Sequence, residues 1–226
     1  MASVPRAAAR RPYFARGLAL VLLAAAWLAA GPAAQARGKA PPRPWSHIEY
    51  GAANYAGSPG ADPAQQHVRL FATIEQLVAR NGPRGKLYLN DLPAHLDGVL
   101  AAVQRFVTER NWTELEVIPW EADFTKGPLP RTDTAHLSHP EPALISAACI
   151  RRFAARARVV VVTTHGVKQM TRALEELGTG LGHQDHGPAQ PYVDHQGTAW
   201  RFEARVHVFS RRPQAVRKNP LAPRRR

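Results

Sequence analysis

From Ser46 onward, apolar residues fall alternately at strand-like and helix-like spacings. Ser46 to Tyr50 is short and extended. Asp62-Pro63 has the form of a helix N-cap with a first-turn proline, and the helix it opens carries Leu70, Phe71, Ile74, Leu77 and Val78 on one face until Asn81-Gly82 stops it. Lys86 to Asn90 reads as a second strand. Asp91 then caps a helix whose stripe is Leu96, Val99, Leu100, Val103, Phe106 and Val107, the strongest 3.6-residue period in the chain. Leu115 to Phe124 holds a third strand and Ala135 to Ser138 a short fourth one, followed by a helix from about Pro142 to Ala157. Arg158 to Thr164 is a continuous β-branched run, as expected of a strand buried on both faces. Val167 to Leu177 is helical, with Met170, Leu174 and Leu177 on one side and Gly178 ending it. The glycine-rich stretch 178–190 reads as a loop. Tyr192-Val193, a turn at Gln196-Gly197 and the alternating segment Trp200 to Ser210 then form a hairpin, with Val206 and Val208 on one face and Arg205 and His207 on the other.

Five strand–helix alternations predict an α/β fold: a three-layer sandwich on a mainly parallel, doubly wound sheet, with a C-terminal antiparallel hairpin. Ligands of such sheets bind beyond the carboxyl ends of the strands, where strand order reverses. The candidate residues therefore follow the strands. Glu49-Tyr50-Gly51-Ala52-Ala53-Asn54 follows the first, with small residues that let backbone approach a ligand. Asp91 follows the second, Glu121-Ala122-Asp123-Phe124 the third, Ser138-His139-Pro140-Glu141 the fourth and Thr164-His165-Gly166 the fifth.

The residues in that order resemble the class I S-adenosylmethionine-dependent methyltransferases, over about Trp45 to Arg211. In that family an acidic residue and a glycine-rich turn follow strand one, matched here by Glu49, Gly51 and Ala53. An acid ends strand two, matched by Asp91. An Asp near the end of strand three touches adenine, matched by Asp123 with Phe124 beside it. The sequence departs from the family pattern where Ala53 and Tyr55 stand in place of glycines, and where an insertion around Ser58 to Gln66 separates Gly51 from Asp91. The resemblance implies a Rossmann-like methyltransferase fold, S-adenosylmethionine as cofactor and methyl transfer to an unknown acceptor, with Glu49, Gly51, Ala53, Asn54, Asp91, Asp123 and Phe124 around the cofactor. Methyl transfer needs positioning and a base for the nucleophile's proton. His139, after strand four, is the candidate base, and His165 the second.

Histidine spacing offers a different enzyme. His136 and His139 are three apart, as are His183 and His186 with Asp185 between them, and His/Asp clusters can hold zinc. A metal-dependent hydrolase on the His136/His139/His183/His186 cluster is therefore the alternative, although no H-E-x-x-H motif is present. A non-catalytic binding domain that retains the fold is the third.

Charge redraws the ends of the chain. The net charge is +13, but residues 1–44 hold seven bases and no acids and residues 211–226 hold seven more. The central sixteen bases face all seventeen acids, so the folding segment is nearly neutral and predicts no specific nucleic-acid partner. Residues 211–226 read as a basic disordered tail that can touch an anionic membrane. At the other end, Arg6, Arg10, Arg11 and Arg16, then the apolar run Gly17 to Ala30, then Ala34-Gln35-Ala36 have the order of a secretory leader. The expected organisation is a signal peptide over 1–36, a Pro-rich linker over 37–45, one α/β domain over 46–210 and the tail. The product is expected to be an exported monomer, periplasmic or secreted. Arg10-Arg11 also resembles a twin-arginine motif. The single cysteine, Cys149, excludes an intramolecular disulfide and reads as a small buried residue rather than a nucleophile.

Overall fold

The computed structural model describes residues 43–51, 67–123, 126–138, 145–190, 192–193, 199–200 and 204–222, all within one compact unit, Arg43–Arg226. The order is β1 (Trp45–Tyr50), α1 (Val68–Asn81), β2 (Gly85–Asn90), α2 (Pro93–Glu109), β3 (Leu115–Pro119), β4 (Thr132–Ser138), α3 (Ala147–Arg156), β5 (Ala157–Thr164), α4 (Val167–Leu177), β6 (Gly182–Pro188), β7 (Tyr192–Val193), β8 (Ala199–Trp200) and β9 (Arg205–Ser210), then a 3-10 helix at Pro213–Arg217.

Seven strands form one sheet in the order β3-β2-β1-β4-β5-β9-β6. β1 pairs in parallel with both β2 and β4, β2 with β3, and β4 with β5. β9 inserts antiparallel between β5 and β6. The chain thus lays down β1, β2 and β3 outward in one direction, returns, and builds β4 and β5 in the other. Order reverses between β1 and β4. This is the doubly wound α/β sheet with an antiparallel C-terminal hairpin that the alternation predicts, a Rossmann-like arrangement.

Two faces of apolar side chains hold the helices. On one, Leu87 and Leu89 pack with Leu70, Ile74 and Leu77 of α1 and Leu96, Val99 and Val103 of α2. On the other, Ile48, Ala135, Leu137, Val160, Val162 and Phe209 pack with Ile150 and Phe153 of α3 and Met170, Ala173 and Leu177 of α4. Helix ends follow local chemistry. Asn81 Nδ2 donates to the Leu77 carbonyl, and Gly82 at φ 83° closes α1. Ser146 caps α3 by accepting from the Cys149 N–H at 3.2 Å. Gly85 opens β2 where the Trp45 ring lies against it, leaving no room for a Cβ.

The structure departs from the sequence reading at several places. The stretch 178–190 is not simply a loop, because Gly182–Pro188 forms the edge strand β6 with a bulge near Asp185. An edge strand half-open on both faces needs no apolar period, so GHQDHGP gives no strand signal. The fourth strand starts three residues earlier, at Thr132, because Thr132 and Thr134 are buried polar positions. Asp91 is not the cap of α2: Leu92 occupies that position, Pro93 opens the helix, and Asp91 accepts from the Leu92 N–H at 2.7 Å. In the terminal hairpin, Arg205–Ser210 pairs with Gly182–Pro188, while Tyr192–Val193 and Ala199–Trp200 form a separate two-stranded ribbon. His207, on the face opposite Val206 and Val208 as expected, is buried, since helices cover both sides of this sheet.

The C-terminal stretch starts as ordered structure rather than as free tail. Val216 is buried against Val159, Val161, Val206 and Val208, and its carbonyl accepts from His186 Nε2 at 2.8 Å. Arg80 donates to the Ala222 carbonyl. Val216, with Ala215 and Leu221 packed partly buried beside it, and a few hydrogen bonds thus seat a segment whose composition reads as solvated. Asp62-Pro63, the start of the α3 segment at Pro142 and the turn at Gln196-Gly197 lie outside the described residues.

Candidate functional site

The loops after β1, β2 and β3 are drawn together by one residue. Gly51, at φ 75°, donates its N–H to the Asn90 carbonyl at 3.1 Å. The buried Asn90 side chain in turn donates from Nδ2 to the carbonyls of Trp120 and, at 3.0 Å, Ala122. Trp120 N–H closes the clamp on the Leu89 carbonyl at 2.8 Å. A side-chain amide serving two carbonyls past β3, while its own carbonyl holds the turn past β1, makes the carboxyl edge of three strands one rigid rim. Gly51, Asp91 and Asp123 all sit on that rim, beside the reversal of strand order. Asn90 is a positioning residue that the sequence reading passes over. An Asn closing a strand next to an acid is its only sequence signal.

Asp91 and Asp123 bring carboxylates to the rim. Asp91 Oδ1 takes the Leu92 N–H and lies 3.4 Å from His95 Nδ1. Asp123 is exposed, and its carbonyl accepts the N–H groups of Lys126 and Gly127. His165, past β5, is exposed, and its carbonyl accepts from the Val167 N–H at 2.9 Å. Ala53, Asn54, Phe124 and His139 lie outside the described residues.

Glu49 behaves otherwise. It is 1% exposed and faces inward beneath the rim. Register explains why. β1 and β4 align His47 with Thr134 and Glu49 with His136, and alternation puts all four on one sheet face. Five polar groups then join in a line. Thr134 Oγ1 lies 2.7 Å from His47 Nδ1, His47 Nε2 lies 3.0 Å from Glu49 Oε2, Glu49 Oε1 lies 2.9 Å from His136 Nδ1, and His136 Nε2 lies 2.7 Å from Thr163 Oγ1 on β5. All five residues are buried.

The electrostatics assign the protons. Burial opposes the charged imidazole of His47 and holds it below the ordinary range, although the hydrogen bond to Glu49 pulls the other way. Burial alone pushes the Glu49 carboxyl up, but the charge and hydrogen bond of His136, together with the His47 bond, outweigh it and hold the carboxyl below its ordinary range. Glu49 is therefore an ionised acceptor, and neutral His47 donates to it from Nε2 while Nδ1 accepts from the Thr134 hydroxyl. His136 donates to the same carboxylate from Nδ1. The signal for this line is present in the sequence as polar residues at alternate positions of short strands, His47-x-Glu49 and Thr134-x-His136, but only strand pairing brings the two together.

Of the histidines offered as a metal cluster, the three described, His136, His183 and His186, do not meet. His136 is committed to Glu49 and Thr163. His183 lies on β6, across β5 and β9 from it, where its ring stacks on His207 and Phe209 with its Nε2 3.2 Å from His207 Nδ1. Burial depresses both of those imidazoles. His186 donates to Val216 instead, and Asp185 pairs with Arg205 at 2.7 Å. Residues 183 and 186 are three apart on a strand, so alternation sends them to opposite faces. Among the described residues no group of three or more His, Cys, Asp or Glu is arranged to hold a metal ion. Cys149 is mostly buried, and burial pushes its thiol up to about 11, which suits a packing residue rather than a nucleophile.

No family profile matches the chain, and no curated protein sequence does. Solved structures with a similar fold include precorrin-6y C5,15-methyltransferase from Geobacter metallireducens, at 12% identity and a TM-score of 0.45 over 74% of this chain and 79% of that one. TrmN from Thermus thermophilus has 18% identity and a TM-score of 0.46 over 84% of this chain and 48% of that one. Magnesium protoporphyrin IX methyltransferase from Synechocystis, solved with bound SAM, has 14% identity and a TM-score of 0.43 over 85% and 78%. The fold assignment itself rests on the strand order described above.

Proposed function

We propose that this chain binds S-adenosylmethionine on the rim after β1, β2 and β3 and transfers its methyl group to an acceptor. The observation that carries the reading is the Asn90 clamp, which holds the Gly51 turn beside Asp91 and Asp123 at the point where strand order reverses. The described residues fit a nucleoside. Asp91, whose carboxylate takes the Leu92 N–H and faces His95, stands at the end of β2, where a carboxylate would receive a ribose hydroxyl. Asp123 is an exposed acceptor for an adenine amino group. Gly51 brings backbone close without a side chain. The cofactor would supply a sulfonium methyl group, and the protein's part is to orient the acceptor and take its proton. His165, exposed past β5, supports the second role.

Glu49 does not fit the pattern that the resemblance implies, because its carboxylate is buried and engaged by two histidines. It acts on the rim from below, fixing the end of β1 against β4, rather than as a ligand group. That same observation favours a second reading, a binding domain that keeps the fold without turnover. Export is part of the proposal and rests on the leader Arg6 to Ala36 alone. N-terminal sequencing of the product secreted or released from the periplasm is expected to begin at residue 37.

The test is thermal unfolding of the protein with S-adenosylhomocysteine. A ligand that binds only the folded state raises the melting temperature. A rise in wild type that Asp91→Ala abolishes, with methyl transfer to some acceptor, supports the enzyme. A rise without turnover on any acceptor supports the binding domain. No rise overturns both.

A further inference from the structure

The opposite edge of the sheet carries a second site. Parallel strands β1, β4 and β5 begin there, at Trp45, Thr132 and Ala157, and antiparallel β9 ends there, at Ser210. The topology therefore brings together the two ends of the folded unit that lead into the basic termini. Between them lies a cleft of about 760 Å³. Arg43 enters it ahead of β1, Arg80 from the end of α1, Arg158 from the start of β5, and Arg212 and Lys218 from the segment after β9. Arg43, Arg158, Arg212 and Lys218 are exposed.

Two of these arginines are set side by side by their backbone. The buried Ser210 hydroxyl donates to the Arg158 carbonyl at 2.8 Å and accepts from the Arg212 N–H at 3.1 Å, so one side chain fixes two arginine-bearing backbones side by side. The one carboxylate among the lining residues, Asp133, is engaged by Ser46, accepting from its N–H at 3.0 Å and its hydroxyl at 3.2 Å. The flanking residues 1–42 and 223–226 add bases and no Asp or Glu.

Four exposed cations in a concave wall whose one carboxylate is engaged focus a positive field, while Arg80 braces the wall through the Ala222 carbonyl. A single monovalent anion leaves most of that charge uncompensated. Phosphate carries close to two charges per group at neutral pH, and arginine forks match its oxygens in pairs. The concavity suits a compact ligand rather than a flat membrane. We propose that this cleft binds a compact ligand bearing two or more linked phosphates, at a site separate from the rim after β1, β2 and β3. The proposal does not depend on what the rim binds.

The experiment is calorimetric titration of the full chain with tripolyphosphate, with orthophosphate, and with a short single-stranded oligonucleotide, at matched ionic strength. Tripolyphosphate is expected to bind with one-to-one stoichiometry and at least about tenfold more tightly than orthophosphate, a difference of about 1.4 kcal/mol. Arg158→Gln with Arg212→Gln is expected to weaken it by about tenfold or more, both side chains being exposed and the change therefore compatible with folding. Asp91→Ala on the rim is expected to leave it unchanged. Three results would overturn the proposal: no binding of tripolyphosphate, an equal loss from neutralising Arg105 and Lys168 outside the cleft, or an oligonucleotide that displaces tripolyphosphate and binds more tightly.

Discussion

The two faces of the central strands solve the same burial problem in opposite ways. Under α3 and α4, β1, β4 and β5 present Ile48, Ala135, Leu137, Val160 and Val162, an apolar surface that any residues of fitting volume can complete. On the reverse face the same strands present His47, Glu49, Thr134, His136 and Thr163. Each of those is buried at a cost that only its neighbours offset. The apolar face is tolerant and additive. The polar face is a chain in which every link presupposes the next, so the loss of one member leaves its neighbours unsatisfied.

The comparison breaks most sharply at Glu49. Glu49→Ala leaves two buried histidines without their shared acceptor and is expected to cost about 3–5 kcal/mol in urea unfolding, as breaking one partner of a buried pair does. Leu137→Ala on the apolar face is expected to cost about 2–5 kcal/mol from lost contact and the cavity left behind. What separates the two is rescue. Replacing His47, Glu49 and His136 together with leucines is expected to recover most of the Glu49→Ala loss, as apolar substitution of a whole buried ionic group often does. A triple variant less stable than Glu49→Ala would show that the line also carries register.

A smaller effect comes from pH, and its direction follows from the proton assignments. The lowered carboxyl of Glu49 means that its contribution is present above the ordinary carboxylate value of about 4.3 and is lost as pH falls through the lower folded value. The lowered imidazole of His47 means that the unfolded chain binds a proton more readily. Stability is therefore lost as pH falls from about 6.5, the ordinary histidine value, towards the lower folded one. Unfolding free energy is expected to decline in two windows on acidification, and Glu49→Gln to remove the lower one. Equal stability at pH 4 and pH 7.5 would sink the assignment. The smallest effect is a control on the apolar side: Ser146→Ala removes the α3 cap and is expected to cost about 1 kcal/mol without changing the pH profile.

Much of this architecture is legible before any coordinates. The stripes of α1, α2 and α4, the β-branched run of β5 and the stop signals at Gly82 and Gly178 are local patterns, each written in a few consecutive residues and each found where expected. The rim positions Gly51, Asp91 and Asp123 follow from the same alternation, because the carboxyl end of a strand is also a position in sequence. Where local pattern and burial part company, the reading fails. β6 is an edge strand with no apolar period, and Thr132 and Thr134, polar residues buried by their neighbours, extend β4.

Local patterns in the chain specify the list of elements, their class, and the charge pattern of near-neutral centre and basic ends. Adjacency comes from the packed sheet. The spacing of His136, His183 and His186 suggests one cluster, yet strand alternation and the insertion of β9 disperse them. Glu49 reads as a ligand residue, yet the pairing of β1 with β4 gives it to His47 and His136. Arg43 and Arg212 are far apart in the chain, yet an antiparallel last strand returns the second to the edge where the first begins. Helical and strand periods are set by neighbours a few residues away, whereas which polar groups meet is set by strand order, and strand order is decided by the packing of the whole sheet.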